Sequence, residues 1–355
     1  MDLRNWATRA GFRAFELSRA HRVLRPMTGG IGTILMMHHV RPEPEPEFAP
    51  DKPLAITPEF LEIVIETLRD EGFEIVDLDR ALYLIYMTGD KPRFAVLTFD
   101  DGFRDVYDYA LPILRRHAAP FTIYVTPGLV DRDVRPWWSD LGHLIRRTEH
   151  LELDIGSERH DLPTISVREK NRAFSIARNA LRRRHPREVT SLIETMSVAH
   201  GVEPGAPEAC MGWDDLAELA ADPLCTIGAH TMTHAMLSTL SEQDVRDELQ
   251  SSKRVIEQHL GIVVDHLAYP FGDAEAIGSR EIRIARELGF RSATTTRPGM
   301  ITQQCAMSPT ALPRLSVNGH WQDRRYLEIL LTGAPFALFK GVQKLGRGQF
   351  QAPHS

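Results

Sequence analysis

Two aspartates stand side by side in LTFDDGFRDVY, Asp100 and Asp101, where the apolar run RFAVLTF ends and Gly102 follows. Adjacent carboxylates repel unless a cation stabilises one and leaves the other to accept a proton. Far along the chain, GAHTMTH places His230 and His234 four residues apart, just after another short apolar run. An aspartate and two histidines form a three-ligand set for a divalent metal such as zinc, with one position left for water. Such a metal lowers the pKa of its water from about 15.7 toward ~7, and a neighbouring carboxylate can then take the proton as general base. The same residues have an ordinary use as well, since Asp100-Asp101-Gly102 also reads as a polar turn capping a helix from Phe103.

Distant residues of this kind need a scaffold that brings strand ends together. GTILMMH (Gly32 to His38) reads as a buried strand, and the polar HVRPEPEPEF after it as a loop. Thr57 caps a helix with Pro58 at its first position, running through Arg69 and closed by Gly72; EIVDLD then returns as a strand. RFAVLTF, FRDVYDYALPILRRH and FTIYVTP continue as strand, helix and strand. TIGAH, a helix from Ser241 to Leu260 stopped by Gly261, VVDHLAYP, a helix ending in ELGF, and RSATTT repeat the alternation. This α/β order implies a parallel sheet covered by helices, open or closed into a barrel, with its ligand site beyond the carboxyl ends of the strands. Asp100, Asp101, His230 and His234 all fall there. No GxGxxG or GxxxxGK[ST] follows a strand, so nucleotide-binding variants lose support. Between Trp137 and Trp213 the alternation breaks, and the charged stretch from Ser166 to Met196 reads as an inserted helical hairpin.

TFDDG (Thr98 to Gly102), HTMTH (His230 to His234) and AYPFGD (Ala268 to Asp273), in this order, resemble the first three motifs of the polysaccharide deacetylases, the NodB-homology or chitooligosaccharide deacetylases of carbohydrate esterase family four. The similarity spans roughly Ile34 to Val317, apart from the insertion, and includes ITPEFLE, SSKRVIEQHLG and ARELGFRSATTT. It implies an irregular (β/α) barrel, to which this chain adds the inserted helical segment, and hydrolysis of an N-acetyl group from an amino sugar. It assigns the base to Asp100, the metal ligands to Asp101, His230 and His234, and an oxyanion-stabilising N–H to Phe271. The metal expected is Zn2+, with Co2+ or Mn2+ as alternatives. Tyr269 stands where the family usually has an Arg that holds the base, as in a YPFG-type branch, and Arg314 in LPRLSV is the candidate to supply that guanidinium from a later strand. An Asp–Trp fourth motif is not evident. For the general acid, His38 in ILMMHHV resembles an LMYHxV motif with Met37 in place of Tyr, and His320 in VNGHW competes with it. His39 should point away from His38 if the strand continues regularly. Trp137 and Trp138 read either as core or as a sugar-stacking wall.

The whole chain sets the bounds. With 355 residues, 43% hydrophobic and 25% charged, it is globular in composition, and a net charge of -6 argues against a nucleic-acid partner. Cys210, Cys225 and Cys305 form no CxxC pair and read as small core residues. Leu3, Trp6, Phe12, Phe15, Leu17 and Leu24 interleave with arginines in residues 1–29, which reads as a basic amphipathic helix packed on its own domain or touching a membrane surface. Residues 30–330 form the expected catalytic domain, with the insertion at about 140–210, and residues 331–355 a peripheral tail. Neither a secretory signal nor a membrane span is read, so the expected compartment is the cytoplasm. Hydrolysis of another amide or cyclic imide on the same metal site, and silent carbohydrate binding, are the alternative functions.

Overall fold

A computed structural model describes residues 3–42, 47–155, 158–203 and 210–338. The end of the expected tail, residues 339–355, lies outside the described residues. Eight strands form the main sheet: β1 (Gly32–Met37), β2 (Phe73–Ile75), β3 (Arg93–Phe99), β4 (Phe121–Val125), β5 (Cys225–Ala229), β6 (His266–Ala268), β7 (Ser292–Pro298) and β8 (Leu312–Ser316). Every pairing is parallel, in the order β1-β8-β7-β6-β5-β4-β3, and β3 pairs back to β1. Seven strands therefore close into a barrel, while β2 lies along the first half of β3.

Strands covered on both faces must be apolar on both faces, which is why these read as continuous hydrophobic runs rather than alternating ones. Ile34, Leu35, Val96, Leu97, Ile123 and Val125 are all fully buried. The helix Pro58–Asp70 starts where Thr57 accepts the Phe60 N–H and ends before Gly72, whose φ of 77° suits glycine. Its Leu61, Val64, Ile65 and Leu68 recur at helical spacing and are buried against the barrel. The helix Glu242–Leu260 repeats the plan, capped by Ser241, closed by Gly261, and burying Val245, Leu249 and Ile256. Full burial of each such side chain stabilises the fold by about 1.5–3 kcal/mol.

Several elements differ from the sequence expectation. EIVDLD is a strand only over Phe73–Ile75, because Asp77 accepts the Arg80 N–H and starts a helix, Leu78–Tyr86. VVDHLAYP pairs only over His266–Ala268. The expected helix after Gly102 begins with a π turn, Val106–Ala110, and continues as Leu111–Arg116; Pro112 has no N–H for the regular ladder. The segment between β4 and β5 holds helices Trp137–Arg147, Val167–Leu181 and Pro186–Ala199, and also an antiparallel hairpin, His150–Ile155 with Glu158–Pro163. The hairpin departs from the all-helical expectation: Leu151, Leu153 and Ile155 alternate with polar residues at strand spacing, whereas the partner strand ERHDLP is mostly charged. Trp137, Leu141, Leu144, Leu151, Ala177 and Val189 give this segment a core of its own. At the N-terminus there are two helices, Leu3–Ser18 and Ala20–Thr28, rather than one, with Arg19 left-handed between them. Phe12 packs on Trp321 and Tyr326 at ring distances of 5.7 and 4.7 Å. The three cysteines are free and half-buried.

Candidate active site

The carboxyl end of β3 delivers Asp100 and Asp101 into the barrel mouth, both 2% exposed. Asp100 continues the strand, its N–H donating to the Met37 carbonyl, whereas Asp101 adopts a φ of 72° and turns its carboxylate another way. Consecutive residues thus serve different partners. Thr231 (φ 62°), His234 (61°) and Phe271 (60°) are likewise left-handed. Of seven non-glycine residues with positive φ among the described residues, these four gather at one mouth. Each such conformation costs of order 1–3 kcal/mol, so their concentration here marks strain held in place for a site.

Asp101, His230 and His234 bring one ligand atom each within 4.8 Å of one another. His230 Nδ1–H donates to the Ala268 carbonyl at 2.7 Å, which leaves Nε2 with its lone pair facing Asp101 Oδ1 at 3.3 Å. His234 Nε2 faces the same oxygen at 3.2 Å. Donors around a tetrahedral zinc at about 2.0–2.1 Å lie about 3.3 Å apart. Asp101 Oδ1 is buried with no hydrogen-bond partner among the described residues. An imidazole lone pair and a carboxylate oxygen facing each other need a cation or a proton between them, and these residues fit a divalent cation. Burial would push the Asp101 carboxyl up, but the two imidazoles outweigh it and hold it well below the usual carboxylate range.

Asp100 faces the other wall. Arg314, from β8, is 1% exposed and grips it with both ends of its guanidinium, NH1 to Oδ1 and NH2 to Oδ2, each at 2.7 Å. Arg314 is itself held by the Thr295 carbonyl at 3.0 Å and by Thr98 Oγ1 at 3.2 Å. Burial opposes the charge on Asp100, yet Arg314, His230 and His38 leave its pKa lowered. Tyr269, at the position where the family usually has Arg, sends its hydroxyl to the Thr310 carbonyl at 2.9 Å instead. His38, at the end of β1, places Nε2 3.9 Å from Asp100 Oδ2. Burial lowers its pKa, and Asp100 and Asp101 recover only part of that. His39 points elsewhere, stacked on Phe103 at 3.7 Å with Nδ1 2.7 Å from Asp105 Oδ2. His320 is exposed in the turn Gly319–Trp321 and does not line the cavity.

The cavity these residues share has a volume of about 430 Å³. Phe271 lies at its edge, its ring 5.2 Å from that of His234, and its N–H meets no acceptor among the described residues. Gly272 makes this turn feasible: its φ is 57°, and a Cβ there would sit 2.6 Å from the Thr296 amide nitrogen. Trp137 and Trp138 are both buried and both line the cavity, and the Trp138 ring packs on that of His234 at 4.7 Å. One supporting residue escaped the sequence reading. Buried Glu248 accepts both the Thr233 N–H, at 2.9 Å, and the Thr233 hydroxyl, at 2.7 Å, and so clamps the loop between the two histidines. Nothing in the spacing of a helical glutamate announces that contact.

A closed parallel barrel with a carboxylate–histidine cluster and a second, guanidinium-held carboxylate at its strand ends defines a hydrolase of the deacetylase type. The sequence model for polysaccharide deacetylase matches residues 88–293, and the chain belongs to that family, whose members cleave carbon–nitrogen bonds in acetylated sugar polymers. Deacetylase PplD of Streptococcus pyogenes, in complex with acetate, is similar with 18% identity and a TM-score of 0.55, over 84% of this chain and 97% of that one. IcaB from Ammonifex degensii shows 18% identity and a TM-score of 0.54, over 86% and 98%. The BpsB deacetylase domain from Bordetella bronchiseptica shows 19% and 0.52, over 81% and 96%. At these identities the likeness is one of fold. No curated protein matches the chain.

Proposed function

We propose that this chain removes acetyl groups from N-acetylated amino sugars by metal-dependent hydrolysis, with Asp101, His230 and His234 as the metal ligands. The observation that carries this reading is the pair of carboxylate environments on adjacent residues: Asp101 facing two imidazoles and Asp100 facing Arg314. A divalent cation held by these three residues, most simply Zn2+, would supply Lewis-acid polarisation of the acetyl carbonyl and acidify the attacking water. Asp100 accepts the proton of that water, and Arg314 keeps its carboxylate ionised and aimed. The Phe271 N–H donates to the oxygen that gains charge as water adds to the carbonyl carbon. His38, whose Nε2 lies 3.9 Å from Asp100 Oδ2, takes up the proton that Asp100 has accepted and passes it to the nitrogen as the carbon–nitrogen bond breaks, giving acetate and a free amine.

Acetate release from N-acetylglucosamine oligomers, measured with added zinc, cobalt or manganese, tests the proposal. Asp100→Asn should lose nearly all turnover while binding metal as the parent does; near-normal turnover in that variant would overturn the assignment of the base. We also propose weak contact with an anionic membrane surface. In its favour, Leu17, Val23 and Met27 are exposed on the N-terminal helices beside Arg13, Arg19 and Arg22.

A further inference from the structure

The insertion contributes a wall to the cavity, and that wall carries a guanidinium with no ion pair among the described residues. Ser166 starts the helix Val167–Leu181 with a capping box, and Ala173, Ala177 and Leu181 bury one face of it in the core of the insertion. Phe174 and Arg178, one turn apart, line the cavity together with the catalytic carboxylates. Among the described residues, the Arg178 guanidinium has neither an ion pair nor a hydrogen bond.

The acidic groups nearby are already engaged. Of the carboxylates lining the cavity, Asp100 is gripped by Arg314 at 2.7 Å, Asp101 faces His230 and His234, and Asp51 is paired with Arg41 at 2.7 Å. Asp273 is 3.2 Å from Arg182, which also holds Glu275, so it acts on Arg178 only from a distance. Arg178 therefore sits one helical turn from another guanidinium, partly removed from water, with no anion in contact among the described residues. Like charges so placed on a helix repel. Burial and Arg182 both work against its charge.

Building on the deacetylase reading, we propose that the sugar taken by this site bears an oxyanion, a carboxylate or a phosphate, which pairs with Arg178 while Phe174, one turn earlier on the same helix, covers the apolar side of the ring. A guanidinium presents a planar fork of donors suited to either group. The charge balance agrees: with Asp51 and Asp100 neutralised, a divalent cation against Asp101 leaves the cavity positive, and an anionic sugar completes it.

The test compares acetate release from three probes: a neutral N-acetylglucosamine oligomer, an N-acetylmuramic acid oligomer bearing carboxylates, and N-acetylglucosamine 1-phosphate. At least one anionic probe should have the lower KM, and the two anionic arms separate carboxylate from phosphate. Arg178→Gln should raise KM for that probe by about tenfold or more, the scale of one lost charge-assisted hydrogen bond, with Arg178→Lys retaining part of the preference. The effect should fall on KM rather than kcat and shrink as salt is raised. A role confined to stabilising the end of the helix would leave the preference for charge intact in Arg178→Gln. Calorimetric titration of the same probes into the metal-loaded Asp100→Asn protein reads binding without turnover. No acetate from any probe, with tighter binding of an anionic one, overturns the deacetylase reading and supports the anion site. Equal KM and equal binding for neutral and anionic probes, or an Arg178→Gln protein that keeps the preference, overturns the anion site.

Discussion

Asp100 and Asp101 differ in backbone before they differ in chemistry. The left-handed turn at Asp101 sends its side chain to the histidines and leaves Asp100 to the strand direction and Arg314. Because the pKa of Asp100 is lowered from its ordinary 3.8, its ion pair stabilises the fold fully above that value, and the contribution is lost as pH falls through the lower folded value. Unfolding by urea across the acid side of 3.8 should therefore show a steeper loss of stability in the parent than in Asp100→Asn; parallel curves would argue against the pair. At the proposed proton donor, His38→Gln should reduce kcat by about 10²–10⁴-fold, whereas His320→Gln should leave it close to the parent value. Steady-state kinetics of the two variants on one substrate decide between the two histidines.

At the scale of elements, the site is a meeting of strand ends, and that much could be read from the sequence. Apolar runs ending in DD and in HTMTH fixed where the carboxylates and imidazoles would lie, because an ionisable group inside a strand buried on both faces needs a specific partner, whereas one at the strand's end reaches the barrel mouth. What could not be read are contacts between elements far apart in sequence. Arg314 could be named as a candidate but not placed, since its hold on Asp100 depends on β8 lying beside β1. Glu248 sits on a helix face that looks like any other, and in the hairpin the alternation of Leu151, Leu153 and Ile155 finds no matching pattern in the charged partner strand Glu158–Pro163. The Glu248 clamp carries a prediction of its own. Glu248→Gln keeps the size of the side chain but weakens acceptance from Thr233, and it should lower metal affinity by about 10–100-fold, as loss of an outer-sphere contact does. Competition with a chelator of known affinity measures this independently of turnover, and unchanged affinity would show that the loop holds its strained form without the clamp.

At the scale of the whole molecule, the N-terminal helices dock on the barrel that carries the cavity. Arg25 pairs with Glu71 at 2.7 Å, and the Thr28 hydroxyl donates to the Thr332 carbonyl at 2.6 Å, so these helices are tied to the barrel while Leu17, Val23 and Met27 stay exposed. Sedimentation with vesicles containing anionic lipid should bring down part of the protein, less at high salt, and less again in Arg13→Glu/Arg22→Glu; equal recovery with neutral vesicles would remove the electrostatic part of the proposal. The barrel closes where β1 meets both β3 and β8, the first and last strands of the ring being neighbours. The same seam supplies His38 from one side of Asp100 and Arg314 from the other. On a ribosome the chain emerges in order, so Asp100 is made 214 positions ahead of the guanidinium that will hold it. Until β8 arrives, the strand that must be buried ends in a carboxylate without its cation, which opposes premature closure of the barrel. The last strand to be synthesised is thus the one that allows the Asp100 carboxylate to be buried in its charged form, and completion of the fold coincides with completion of the site.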